Sequence, residues 1–184
     1  MRVIAGELKG RRLSTPRGSR TRPTADQVRH ALMDSLAPWL HGASFLDLFA
    51  GAGGVGIEAL SRGAAEAVFV ETDAAALRSL EENLLGLGLR PRSRIIRQDA
   101  GRAIAGLARA GERFRLIFLD PPYASPLAGE TVERLGSGSL VEPLGLVVVQ
   151  HMTKAILPER IGILRRLRAR RFGETTLTFF RSGE

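Results

Sequence analysis

Asp120, Pro121, Pro122 and Tyr123 follow directly on the apolar stretch Leu116-Ile117-Phe118-Leu119, which places a carboxylate just past the end of an expected buried strand. The two prolines carry no backbone N–H and have a fixed φ, so the turn is rigid and the Asp120 and Pro121 carbonyls keep no local donor. Outward-facing acceptors beside an aromatic ring suit a planar ligand that bears an amino group, and a nucleobase is the leading candidate. For Tyr123 the competing reading is simple packing over the turn.

A second constellation lies upstream. Phe45-Leu46-Asp47-Leu48-Phe49-Ala50 runs into Gly51-Ala52-Gly53-Gly54-Val55-Gly56, a Gly-x-Gly-x-x-Gly loop between an expected strand and an expected helix. Glycines let the backbone approach a ligand closely, and the helix N-terminus adds free N–H groups and the positive end of a dipole. Glu71 ends the next expected strand, 20 residues after Gly51, where a carboxylate can take both hydroxyls of a ribose. The loop alone fits a nicotinamide dinucleotide or S-adenosylmethionine. Asp47 separates them, because a carboxylate inside the strand, four residues before Gly51, repels a pyrophosphate and attracts the ammonium of a methionyl group. Asp99, at the end of the third expected strand, is placed to accept from an adenine amino group, with the Ala100 N–H beside it. The competing reading is a strand-to-helix turn that binds nothing, and for any one of these acids alone a helix cap is the default. Asp73 divides evenly between capping and cofactor contact.

Elements that would position these groups can be traced along the chain. Short apolar runs at Ser44 to Phe49, Ala67 to Glu71, Arg94 to Arg97, Leu116 to Leu119 and Leu146 to Gln150 alternate with helical stretches at Gly54 to Ser61, Ala74 to Leu87, Arg102 to Ala110 and Leu127 to Leu135. That alternation predicts a parallel sheet with helices on both faces. The segments 161–172 and 175–181, separated by Gly173 and Glu174, predict an antiparallel C-terminal hairpin. The expected sheet is therefore α/β, Rossmann-like, mostly parallel and seven-stranded. Upstream, Val3 to Leu13 is basic and glycine-punctuated, a hairpin or a loose arm, and residues 14–23 have no period. Thr24 and Gln27 form a capping box, after which Val28, Ala31, Leu32, Ser35, Leu36 and Trp39 share one face of a helix.

With 184 residues and 44% hydrophobic content, the chain can bury one good core. We expect one domain over 1–184, in which 1–40 form a basic arm and helix and 41–184 the Rossmann-like core. The formal charge of +8 is carried by the ends: residues 1–30 hold eight basic and two acidic side chains, residues 160–184 seven and two. Arginine-rich ends of this kind suit a polyphosphate partner, although each arginine taken alone reads equally well as surface charge. Arg11, Arg12, Arg22 and Arg29 are the candidate phosphate contacts, on an arm that RNA could order. Zero cysteines exclude disulfides and thiolate metal sites, and His30, His41 and His151 have no ligand spacing, so no metal is expected. The start lacks a signal pattern, and no apolar run approaches the roughly 20 residues of a membrane span. The expected location is cytoplasmic.

Over nearly its whole length the chain resembles the RsmD-type methyltransferases, which modify the N2 amine of a guanine in small-subunit ribosomal RNA. Arg2 to Gly6 with Lys9 to Leu13 resembles the family's opening, and Arg22-Pro23-Thr24 through Asp26, Val28 and Arg29 its Arg-Pro-Thr helix start. Phe49-Ala50-Gly51 through Ala64 is similar to its cofactor loop and helix, and Asp120 to Tyr123 to the catalytic tetrapeptide shared by amino-directed nucleic-acid methyltransferases. The resemblance implies a class I methyltransferase fold, with Asp120, Pro121, Pro122 and Tyr123 as catalytic residues. It implies S-adenosylmethionine as cofactor, bound by Asp47, Phe49, Ala50, Gly51, Gly53, Glu71, Asp73, Asp99 and Ala100. It further implies 16S ribosomal RNA as partner, within the small subunit or its assembly intermediate, and a monomeric enzyme. His30, Met33 and Gln150 depart from the family pattern, where Glu, an aromatic and Glu are usual; the departures fall on the expected substrate face. Three other readings stand beside this one: an adenine-N6 methyltransferase with the same tetrapeptide, a nicotinamide-dependent reductase, and an RNA-binding module without catalysis.

Overall fold

The computed structural model describes residues 1–16, 23–122 and 125–183; Arg22 and Tyr123 lie outside the described residues. In chain order the elements are α1 (Pro23–Leu40), β1 (Ser44–Leu48), α2 (Gly54–Ser61), β2 (Glu66–Val70), α3 (Ala74–Gly86), β3 (Ser93–Ile96), α4 (Ala100–Arg109), β4 (Phe114–Leu119), α5 (Leu127–Ser137), β5 (Val141–Met152), β6 (Arg160–Ile161), β7 (Leu164–Phe172) and β8 (Thr175–Ser182). They build an eight-stranded sheet in the order β3-β2-β1-β4-β5-β8-β7-β6. Strands β1 to β5 pair in parallel, and β8, β7 and β6 add on in antiparallel fashion. The sheet has one strand more than the seven expected, because β6 is two residues long and too short to leave a period in the sequence.

Chain direction across the sheet reverses between β1 and β4. In such sheets the crevice beyond the carboxyl ends at the reversal point is where ligands bind. Register carries this to single residues: Asp47 pairs with Phe118 and Leu48 with Leu119, so Phe49 and Asp120 leave the sheet side by side.

Alternation along the strands divides the core in two. Phe45, Phe69 and Phe118 face Leu32 and Leu36 of α1, Ile57 and Leu60 of α2, and Leu80 and Leu84 of α3. Leu46, Leu48, Ile117 and Leu119 face Ile104 and Leu107 of α4 and Val132 and Leu135 of α5. Strands buried on both faces read as continuous apolar runs, which is why they were visible in the sequence. Asp47 shares the face of Phe45 and is only 1% exposed.

Two helix starts differ from expectation. Helix α1 begins at Pro23, so Thr24 lies inside its first turn instead of capping it; proline at the first helical position gives up an N–H that has no helical acceptor anyway. Helix α4 begins at Ala100, directly behind Asp99.

The N-terminal segment is a docked hairpin, not a loose arm. Arg2 and Arg12 form an antiparallel bridge, and Val3 and Leu13 are buried. Its anchors come from far along the chain. Glu58 of α2, fully buried, accepts the Ile4 and Ala5 N–H groups at 2.8 and 2.9 Å and the Arg62 Nε–H at 2.9 Å. Asn83 of α3 accepts from the Ser14 N–H at 2.6 Å and donates to the Ser14 carbonyl at 2.9 Å. Gly6, at φ +82, lets the hairpin approach so closely that a Cβ there would stand 1.9 Å from the Ser61 carbonyl oxygen. Among the described residues no helix is long and apolar enough to cross a membrane.

Candidate active site

The turn from β1 into α2 winds through three left-handed residues, Phe49 (φ 70), Gly51 (φ 56) and Gly53 (φ 85). The two glycines take this conformation without strain, whereas a bulky Phe does so at a cost of about 1–3 kcal/mol and persists only where its surroundings enforce it. Those surroundings are visible. The Glu71 carboxylate accepts the Gly51 N–H at 2.8 Å through Oε2, and the Thr72 and Asp73 N–H groups at 2.7 and 2.8 Å through Oε1. One carboxylate thus ties the end of β2 to the glycine loop. Of the roughly four lone-pair positions on a carboxylate, one is left for a ligand hydroxyl, fewer than the ribose diol expected from sequence. Gly56 is required by packing, since a Cβ there would lie 2.3 Å from the Phe69 ring.

Two cavities open on this loop. The larger, about 480 Å³, lies among Glu71, Thr72, Gln98, Asp99, Leu127 and Glu130. The smaller, about 200 Å³, lies among Arg29, Asp47, Ala50, Gly54, Val55 and Gln150. Phe49 and Asp120 line both, so the cavities meet where β1 and β4 end.

Two carboxyl groups here have strongly displaced acidities. Burial pushes Asp47 up to about 8, partly offset by the Gly56 N–H that its Oδ2 accepts at 2.9 Å and reinforced by the negative charges of Asp120 and Glu71. Burial likewise pushes Asp120 up to about 7. Perturbed carboxyls converging on one cleft are what a site handling charge or protons needs. At the turn after β4, the Pro122 carbonyl is occupied by the Ser125 N–H and hydroxyl at 3.1 and 2.8 Å. Among the described residues no hydrogen bond reaches the Asp120 carboxylate, and Asp120 lines both cavities; Pro121 beside it is buried.

The other residues singled out from sequence fall in different places. Asp73 caps α3, accepting the Ala76 N–H at 2.8 Å. Asp99 caps α4 through the Arg102 N–H at 3.0 Å and also lines the larger cavity together with Ala100. Arg11 and Arg12 are exposed. Arg29 is not on the surface: it is only 6% exposed and is among the residues around the smaller cavity. Its expected phosphate contact is therefore withdrawn; a face-counting argument on α1 would have found it, since Arg29 adjoins Val28 and Leu32 on the buried side. The sequence reading also passed over Arg168 and Arg170. Both are exposed on β7, Arg168 stacked at 4.8 Å on the Phe179 ring. Arg170 pairs with Leu177 and Leu177 with Gln150, so a single row across the sheet, on the order of 10 Å long, connects Arg170 to the smaller cavity.

Strand order, glycine loop and the cleft at the reversal point define a Rossmann-like domain of the class I methyltransferase type. The chain belongs to the family described as "Conserved hypothetical protein 95", the RsmD/YlbH family, whose model matches residues 1–181. It is 36% identical over 158 residues to the Ribosomal RNA small subunit methyltransferase D of Escherichia coli K12, covering 86% of this chain and 78% of that protein. It is 38% identical over 181 residues to YlbH of Bacillus subtilis, covering 98% of each. Among solved structures, yhhF from Escherichia coli superposes with a TM-score of 0.87 at 33% identity, covering 100% of this chain and 98% of the other.

Proposed function

We propose that this chain transfers a methyl group from S-adenosylmethionine to the exocyclic N2 amine of a guanine in small-subunit ribosomal RNA. The observation that carries the reading is Asp120, which lines both cavities where they meet, with the carbonyl of the adjoining Pro121 as the second acceptor that the reading calls for. The adenosine fits the larger cavity, with Glu71 at the ribose and Asp99 and Ala100 at the base. The methionyl end fits the smaller one, with Asp47 at its ammonium and Phe49, Ala50, Gly51 and Gly53 shaping the passage. When bound, the cofactor supplies an electrophilic methyl carbon.

An exocyclic amine is a poor nucleophile because its lone pair is delocalised into the ring. Asp120 and Pro121 can each accept one of its N–H groups, which turns the nitrogen toward a tetrahedral geometry and frees the lone pair. Alignment of that nitrogen with the methyl carbon supplies much of the remaining acceleration. As the new N–C bond forms the nitrogen becomes acidic, and its proton passes to Asp120, whose pKa, raised to about 7, suits it to receive one near neutral pH. A duplex base must first be flipped out at a cost of a few kcal/mol, so looped or single-stranded RNA is the easier substrate. Ribosomal RNA is favoured over other acceptors by the family and by the relatives' names, and guanine N2 by the resemblance of the N-terminal segment.

The test is transfer of radiolabelled methyl to undermethylated small ribosomal subunits and to naked 16S RNA, followed by nucleoside analysis. Labelled N2-methylguanosine is expected; N6-methyladenosine would move the chain to the adenine-directed enzymes, and no label with cofactor binding intact would sink the RNA reading. The exposed arginines of β7, Arg170 on the row leading to Gln150 and Arg168 on the row leading to Val148, should hold phosphates. Arg168→Gln with Arg170→Gln is expected to weaken RNA binding about equally for all sequences and to lower the slope of log K against log salt by roughly 1 to 2. An unchanged slope would remove β7 from the RNA face.

A further inference from the structure

Like charges meet across the C-terminal strands. Arg160 of β6 pairs with Arg165 of β7, Arg165 with Arg181 of β8, and Arg181 with Leu146 of β5, so three arginines stand in one row across the sheet. Leu146 belongs to the same core layer as Leu32 and Leu36 of α1, which puts the row on the α1 face. Like charges placed directly opposite one another destabilise a sheet, and no carboxylate offsets them. Among the described residues none of the three forms an ion pair. Arg160 Nε donates to the Gly162 carbonyl at 3.4 Å, and Arg181 Nε is buried without a partner.

A fourth arginine is turned to the same side. Arg165 and Arg168 are three positions apart and would face opposite ways on a regular strand. The bulge between Arg166 and Arg168 inserts one residue and shifts the alternation by one. Arg168 therefore pairs with Phe179, which lies in the same core layer as Leu146, and its guanidinium stacks on that ring at 4.8 Å. Stacking occupies the flat face of a guanidinium and leaves its N–H edges for phosphate oxygens.

Strand spacing makes the row of three roughly 10 Å wide. A lone phosphate ion cannot meet three guanidinium groups over that width, whereas successive phosphates of a nucleic-acid strand can. Along β5 the row is four residues from Gln150, on the order of 13 Å, and Gln150 lines the smaller cavity. The row is thus outside both cavities of the candidate active site.

We infer that Arg160, Arg165 and Arg181, with Arg168 beside them, form a separate RNA-phosphate site that holds the strand flanking the methylated base. This rests on the RNA reading above and adds a length requirement to it: the base is handled at Asp120, and the RNA must extend past it far enough to reach the row.

The test compares the wild type with Arg165→Gln and Arg165→Glu, which alter the central, exposed member of the row. In filter binding of naked 16S RNA over a salt series, Arg165→Gln should lower the slope of log K against log salt by roughly 1, and Arg165→Glu should bind about tenfold more weakly or worse. A glutamate between Arg160 and Arg181 replaces repulsion by attraction, so Arg165→Glu should also melt at a higher temperature than the wild type, a gain in stability joined to a loss of binding. Affinity for S-adenosylhomocysteine should not move in either variant. Wild-type RNA affinity and salt slope in both variants would overturn the site and leave the methyltransferase reading standing. A wild type that binds no 16S RNA would defeat the RNA reading, and this site with it. If Arg165→Glu does not melt cooperatively, Arg165→Gln decides alone.

Discussion

Asp120→Ala is expected to lower single-turnover methyl transfer by about 100-fold or more while affinity for S-adenosylhomocysteine shifts little. The asymmetry follows from position. Asp120 stands past the end of β4, where register sets it beside Phe49, and its carboxylate is open toward the junction of the cavities. In the proposed reading it reaches an incoming amine, whereas the cofactor's polar groups are assigned to Asp47, Glu71 and Asp99. Its charge does act on the cofactor indirectly, since it is one of the causes raising Asp47. Comparing wild type and variant at pH 9, where both carboxyls of the wild type are ionised, removes that coupling. The same acidity predicts the pH dependence: with Asp120 at about 7, the protonated form predominates below that value and cannot accept both a hydrogen bond and a proton, so wild-type turnover should climb with pH through about 7 and level off above it. In Asp120→Asn that limb should vanish along with most of the rate. A loss of cofactor affinity as large as the loss of rate would mean that Asp120 faces the cofactor, not the base.

Much of this site was legible because its determinants are local. Asp120-Pro121-Pro122 follows four apolar residues, and the glycine loop follows another strand, so both could be set at strand ends from periodicity alone. Asp47 was legible as an anomaly, a charge in an apolar run. What escaped depends on contacts between distant segments. Nothing near Val3 or Ser14 says that Glu58 and Asn83 will clamp them, so a docked hairpin looked like a possible loose arm. At Glu71, which the sequence places beside a ribose, three backbone N–H groups also converge, two from its own neighbours and one from Gly51. Arg29 looked like a surface cation because charge was counted by segment and not by helix face. Arg168 and Arg170 were hidden within a charged end, and only the pairing of β5, β8 and β7 aligns Arg170 with Gln150 and Arg168 with Val148.

Asp47 carries the second large effect, and it couples stability to binding with opposite signs. Its pKa is raised from 3.8 to about 8 in the folded chain, so between those values the folded state holds a proton that the unfolded state has released. Stability from this group is fully present below about pH 4 and is lost as pH rises through about 8, with a slope approaching 1.4 kcal/mol per pH unit where the difference is one whole proton. Thermal melts of the ligand-free protein should therefore fall between pH 5 and 8.5, and Asp47→Asn, which keeps the shape and loses the charge, should flatten that fall and be the more stable protein at pH 8.5. Binding runs the other way. Pairing with an ammonium requires the ionised carboxylate, so below pH 8 the ligand must expel a proton, and affinity for S-adenosylhomocysteine should rise with pH by up to about tenfold per unit until near pH 8. Above that, the ligand's own ammonium begins to lose its proton. The expelled proton is measurable as a dependence of the calorimetric binding enthalpy on the ionisation enthalpy of the buffer. Asp47→Asn should bind roughly 10- to 100-fold more weakly at pH 8 and show no proton release. Flat affinity from pH 6 to 8 with no released proton in the wild type would mean that Asp47 stays neutral, serving only as the acceptor that fixes the Gly56 N–H, and the ammonium would then need another partner.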